Sequence, residues 1–153
     1  MRLLIPLFSP TMGTWGGLTR VLAITEAARA AGHEVAFCAS GYLETVLRQR
    51  GYTVYSVPAT TMFGLPHSLS RLIERRSQQI APPVKAGRSI GNFWFVLWLA
   101  GFARGQYLKR LVAAELKAVA DFKPDALFTD LDPGAFLLRQ ITGLPMGCNY
   151  QDI

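Results

Sequence analysis

Apolar and polar positions along the chain follow two alternating rhythms. Leu3, Leu4, Ile5, Leu7 and Phe8 form a short apolar run without polar alternation, as expected of a central parallel strand covered on both faces. Ser9 to Gly17 then brings three glycines and a proline, which break regular structure and let the backbone turn tightly. From Leu18 onward, Leu18, Val21, Leu22 and Thr25 recur at helical spacing among alanines, and Gly32 supplies a stop signal. Glu34 to Ala39 reads as a second strand. Gly41 to Arg50 reads as a helix with Leu43, Val46 and Leu47 on one face. Thr53 to Val57, alternating and β-branched, reads as a third strand. A right-handed crossover at each step of this βαβαβ run predicts a parallel sheet ordered 3-2-1.

Regularity then lapses. Pro58 to Pro66 is a loop, and Ser68 to Ile80 has a helical pattern that Pro82 and Pro83 end. Gly87 to Gly105 concentrates aromatics at Phe93, Trp94, Phe95, Trp98 and Phe102, which suggests an aromatic-rich helical insertion. Gln106 to Asp121 predicts a helix whose buried face carries Leu108, Leu111, Val112, Leu116 and Val119. Ala126 to Thr129 begins a fourth strand. At its carboxyl end Asp132 is placed to cap a helix that has Pro133 in its first turn and runs from Ala135 to Thr142. Gly143 closes that helix, and Pro145 to Asn149 reads as a fifth strand.

Composition narrows the class. The 153 residues are half hydrophobic and only 17% charged, which describes a folded chain able to bury a core, with one domain favoured over two. A net charge of +6 fits a solvated basic surface, or attraction to an anionic partner such as a phosphate-bearing ligand or a membrane surface. The basic residues are dispersed and carry no recognised motif, so nucleic acid is not an expected partner. Cys38 and Cys148 are too few for a disulfide framework or a zinc site, and they fit a reducing, cytoplasmic setting. The lone His33 and His67 suggest no metal. Pro6 interrupts the N-terminal apolar run, which reads as a strand and not as a signal peptide. The run from Phe93 to Ala103 falls short of the roughly 20 residues that span a bilayer.

The series of a strand, a Gly13-Thr14-Trp15-Gly16-Gly17 turn, a helix ending before Gly32-His33-Glu34-Val35, then Phe122-Lys123-Pro124-Asp125 and a helix ending in Thr142-Gly143-Leu144-Pro145 resembles the N-terminal half of GT-B glycosyltransferases. The branch it resembles most uses nucleotide sugars to modify antibiotics, sterols and plant small molecules. The resemblance implies an α/β, Rossmann-like parallel sheet of order 3-2-1-4-5 with helices on both faces. It also implies that residues 1–153 form one domain, the incomplete N-terminal half of a two-domain enzyme. Such a domain holds the acceptor, a hydrophobic small molecule or lipid. A C-terminal donor-binding domain, in cis or in trans, would bring a UDP- or TDP-sugar as co-substrate, with no tightly bound cofactor.

Inverting sugar transfer needs a base to take the acceptor hydroxyl proton. The resemblance places that base at Gly17, and glycine cannot accept a proton. Three readings stay open. Asp130, or less directly Asp132, serves as base or orienting acid; the acceptor is acidic enough to need none; or the domain is a non-catalytic partner of another transferase. A helix cap is the plainer role for Asp132, while Asp130 divides between a turn residue and a functional one. Met12, Gly13, Thr14, Trp15, Gly16 and Gly17 are expected to line the substrate site, together with Phe93, Trp94 and Trp98. The glycines do not spell a dinucleotide fingerprint, and Ala39-Ser40 offers no acid to a ribose. A backbone cradle for one phosphate stays open at this helix start. Arg88 and Arg104, flanking the aromatic block, suit peripheral membrane contact or an anionic acceptor.

Overall fold

A computed structural model describes residues 1–7, 15–60, 102, 104–130 and 132–149. The order is β1 (Arg2–Pro6), α1 (Trp15–Ala30), β2 (Glu34–Ala39), α2 (Gly41–Gln49), β3 (Thr53–Ser56), α3 (Gly105–Phe122), β4 (Ala126–Thr129), α4 (Pro133–Thr142) and β5 (Met146–Cys148). The five strands form one sheet ordered β3-β2-β1-β4-β5, and every pairing is parallel. The expected Rossmann-like α/β architecture is therefore present. The predicted helix Ser68 to Ile80 and the aromatic block Phe93 to Trp98 lie outside the described residues.

Side-chain alternation along the strands builds two cores. Leu3 and Ile5 of β1 join Val35, Phe37 and Ala39 of β2 on one face, under Val21 and Leu22 of α1 and Leu47 of α2. Leu4, Ala36 and Cys38 point the other way, against Ala118 and Phe122 of α3 and Leu138 of α4. The first two helices thus cover one face and the last two the other, as right-handed crossovers require.

Strand entry follows from how the helices stop. At the end of α1 the Gly32 N–H donates to Arg29 O at 2.9 Å and the His33 N–H to Ala28 O at 3.0 Å. This double bond pattern needs a left-handed residue, which Gly32 provides at φ +79°. The chain then enters β2 directly. At the amino ends of the strands Arg2 holds the sheet's lower edge. Its N–H donates to Asp125 Oδ2 at 2.7 Å, its Nε to Glu34 Oε2 at 3.0 Å, and its guanidinium sits 4.5 Å from the Phe122 ring centre.

Beyond shifts of one or two residues at element ends, two features differ from the sequence reading. Helix α1 begins at Trp15, not Leu18, so the backbone of Gly16 and Gly17 belongs to the helix and not to the turn before it. On α3 the fully buried stripe is Leu111, Glu115, Ala118 and Phe122, not the stripe of Leu108, Leu111, Val112, Leu116 and Val119. Flanking leucines and valines are half-buried, because α3 packs against both the sheet and the neighbouring α4 and turns a carboxylate inward.

Phe37 is fully buried and stacks edge-on against Tyr52, with ring centres 5.1 Å apart. Phe37→Ala is expected to lower unfolding free energy by about 3–5 kcal/mol, the range for removing a buried aromatic. Denaturant titration measures it, and a loss below about 1 kcal/mol would mean that this core is not packed as described.

Candidate functional site

The carboxyl ends of a parallel sheet are where such folds hold ligands, at the point where the strand order reverses. Here that point lies between β1 and β4. The residues that follow the strands there are Leu7 after β1, Ser40 after β2, Val57 to Thr60 after β3, and Asp130 and Asp132 after β4. Tyr107 in the first turn of α3 and Leu111 complete a recess with Ser40, Pro58, Thr60 and Asp132. Its enclosed volume is only about 10 Å³, room for one water molecule. The recess is therefore a shallow dimple at the strand ends and not by itself a pocket for a small molecule.

Asp132 is the N-cap of α4, as its position before Pro133 predicted. Its Oδ1 accepts from the Gly134 N–H at 2.7 Å, and its own N–H donates to Thr129 Oγ1 at 3.1 Å. The side chain is 2% exposed. Burial pushes the Asp132 carboxyl up to about 6, against a smaller opposite pull from the Gly134 and Ala135 N–H groups. A carboxylate so placed is a stronger base than one in water, and it borders the recess.

Asp130 stands differently. Its carboxylate is 4% exposed and pairs with Arg20 of α1, whose Nη2 lies 3.1 Å from Oδ2 and 3.4 Å from Oδ1. The pair ties the carboxyl end of β4 to the second turn of α1 across 110 residues of sequence.

Sequence reasoning missed Glu115. It is fully buried on α3, and neither carboxyl oxygen has a hydrogen-bond partner. Burial, with the nearby Asp132 charge second, pushes it up to about 9. The same two carboxyls, after burial itself, raise the Cys38 thiol and the Tyr107 phenol. A charged residue inside the stripe 111-115-118-122 was the available signal, since that spacing is a helix's core-facing repeat.

Of the other predicted site residues, Trp15, Gly16 and Gly17 lie in the first turn of α1, close in sequence to Arg20. Met12, Gly13, Thr14, Phe93, Trp94 and Trp98 lie outside the described residues. Among the described residues no cluster of three or more histidines, cysteines or carboxylates could hold a metal ion, and no helix is long and apolar enough to cross a membrane.

Neither a protein-family model nor a curated protein sequence matches the chain. Solved structures do. MurG of Acinetobacter baumannii superposes with a TM-score of 0.58 at 13% identity, over 96% of this chain and 34% of that one. The fold is glycosyltransferase-like. SsfS6, a glycosyltransferase of Streptomyces sp. SF2575, gives 0.58 at 20% identity, over 95% of this chain and 38% of that one. The spinosyn rhamnosyltransferase SpnG, solved with spinosyn aglycone, gives 0.54 at 19% identity over 96% and 33%. At these identities the likeness is one of fold. The chain spans about a third of the length of each of these glycosyltransferases.

The Arg20–Asp130 contact has a measurable consequence. Arg20→Ala strands a nearly buried carboxylate, so it should destabilise the fold more than the Arg20→Ala, Asp130→Ala double exchange does relative to Asp130→Ala. With Arg20 40% exposed, solvent screening holds the expected coupling to about 1 kcal/mol. A double-mutant cycle by denaturant unfolding measures it, and zero coupling would remove the pair from the account.

Proposed function

We propose that this chain is the acceptor-side domain of a nucleotide-sugar-dependent, inverting glycosyltransferase. It holds a hydrophobic small-molecule or lipid acceptor, while a donor-binding domain, in cis or in trans, presents a UDP- or TDP-sugar. The observation that carries the reading is Asp132, a buried carboxylate of raised basicity bordering the recess at the sheet's reversal point. Its support from outside is the glycosyltransferase-like fold, shared with enzymes of which one was solved with an aglycone and others with thymidine diphosphate. The free thiols Cys38 and Cys148 suit a reducing cytoplasm, and the net positive charge suits work beside an anionic membrane surface.

In this mechanism Asp132 takes the proton of the acceptor hydroxyl as that oxygen attacks the anomeric carbon of the donor sugar. The new carbon–oxygen bond forms as the bond to the nucleoside diphosphate breaks, and the diphosphate leaves with the electron pair. Asp132 thus fills the role that Gly17 cannot. Asp130 stays committed to Arg20 and steadies the same rim.

A second reading has one observation in its favour. The family resemblance puts the base at Gly17, where glycine stands, which fits a non-catalytic subunit that supports another transferase. The two separate in one assay, in which the chain is mixed with a donor-binding domain, UDP- and TDP-sugars and a panel of hydroxylated hydrophobic acceptors. Mass gain on the acceptor is the readout. Transfer that falls about 100-fold or more in Asp132→Asn, with unfolding unchanged, is the expected result. No transfer with any acceptor would favour the non-catalytic subunit, and transfer unaltered in that variant would remove Asp132 as the base.

A further inference from the structure

Among the described residues Glu115 is a fully buried carboxyl to which the reading above gives no task. It sits on α3 in the inward stripe with Leu111, Ala118 and Phe122. A Cβ built on Gly134 would stand 3.2 Å from Glu115 Oε1 and 3.1 Å from Asp132 Oδ1. Leu111 Cδ2 would be nearer still, at 3.0 Å, so both carboxyls border the first turn of α4 at Gly134, where an added Cβ would be tight. Among the described residues, the titratable groups facing Glu115 are Asp132 from the β4–α4 junction, the Cys38 thiol from β2 and the Tyr107 phenol from α3 itself. Each is neutral or becomes negative. The cations of α3 and α4, Lys109, Arg110, Lys117 and Arg139, are all exposed.

Two negative carboxylates in that space would repel, and neither could offer the other a hydrogen. A neutral Glu115 removes the repulsion and supplies the missing donor. We infer that Glu115 is a positioning residue for Asp132, its neutral carboxyl donating a hydrogen bond to the Asp132 carboxylate across the first turn of α4. Asp132 is the member that ionises, because the α4 backbone N–H groups already favour its charge. Glu115 thereby sets the pH at which Asp132 becomes available as a proton acceptor. This inference rests on the reading of Asp132 as base for its functional meaning, but not for its test.

The test is a carbon-13 NMR titration of side-chain carboxyls in the chain alone, from pH 4 to 10, which needs neither donor nor acceptor. The Glu115 carboxyl should keep the shift of a protonated acid at pH 7, and its midpoint should fall in Asp132→Asn. Glu115→Met, which removes the donor, should raise the Asp132 midpoint by about one pH unit. Glu115→Gln keeps an N–H donor and should leave that midpoint near its original value. An ionised Glu115 at pH 7 in the unsubstituted chain overturns the inference even if a variant fails to fold. So does an Asp132 midpoint that is the same in the Met and Gln variants. Failure of sugar transfer with these titrations intact would instead count against the transferase reading.

Discussion

Everything in this domain depends on β1 being hydrogen-bonded on both sides. Its five residues pair in parallel with Arg2 to Pro6 opposite Glu34 to Cys38, and Leu3 and Leu4 pair with Ala126 and Leu127 on the other edge. Leu4 and Ile5 are wholly buried, which only an all-apolar strand tolerates. Because chain order reverses between β1 and β4, the helices that follow those strands lie on opposite faces. Beside that divergence lie the Arg20–Asp130 pair and the recess that Asp132 and Tyr107 line.

This region concentrates acids where burial resists charge. Asp132 is tolerated because the first turn of α4 solvates it with backbone N–H groups, a substitute for water that any helix start provides. Asp130 is tolerated because Arg20 reaches it from α1. Glu115 has neither form of relief, so it stays neutral. Asp132 and Glu115 thus differ in how far burial raises them because their partners differ, not because their chemistry does. This is the arrangement by which folds separate acid from base roles.

Much of the fold was legible in the sequence because local signals agreed with global needs. Gly32, Gly51 and Gly143 each end a helix at positive φ, and the apolar runs between them are short enough to be strands. The order β3-β2-β1-β4-β5 follows from crossover handedness once the elements are known. The cap at Asp132 was legible because Pro133 follows it. The start of α1 was not, because glycines at 16 and 17 signal a turn while the helix runs through them. Arg20 and Asp130 are 110 residues apart, and no local pattern joins them. Glu115 escaped because a glutamate on a helix usually faces water, and only the packing of α3 against α4 and the sheet turns it inward.

The central claim is that β1 and β4 belong to one cooperative unit, so that the recess at their carboxyl ends is a fixed feature. Native-state hydrogen exchange on the amides of Leu4, Ile5, Leu127 and Phe128 tests it most directly. All four are expected to exchange only through global unfolding, with the same free energy and the same denaturant dependence. If Leu127 and Phe128 opened at a clearly lower free energy than Leu4 and Ile5, the β4–α4 segment would be a separate unit, and the account of a site built across the two strands would fail.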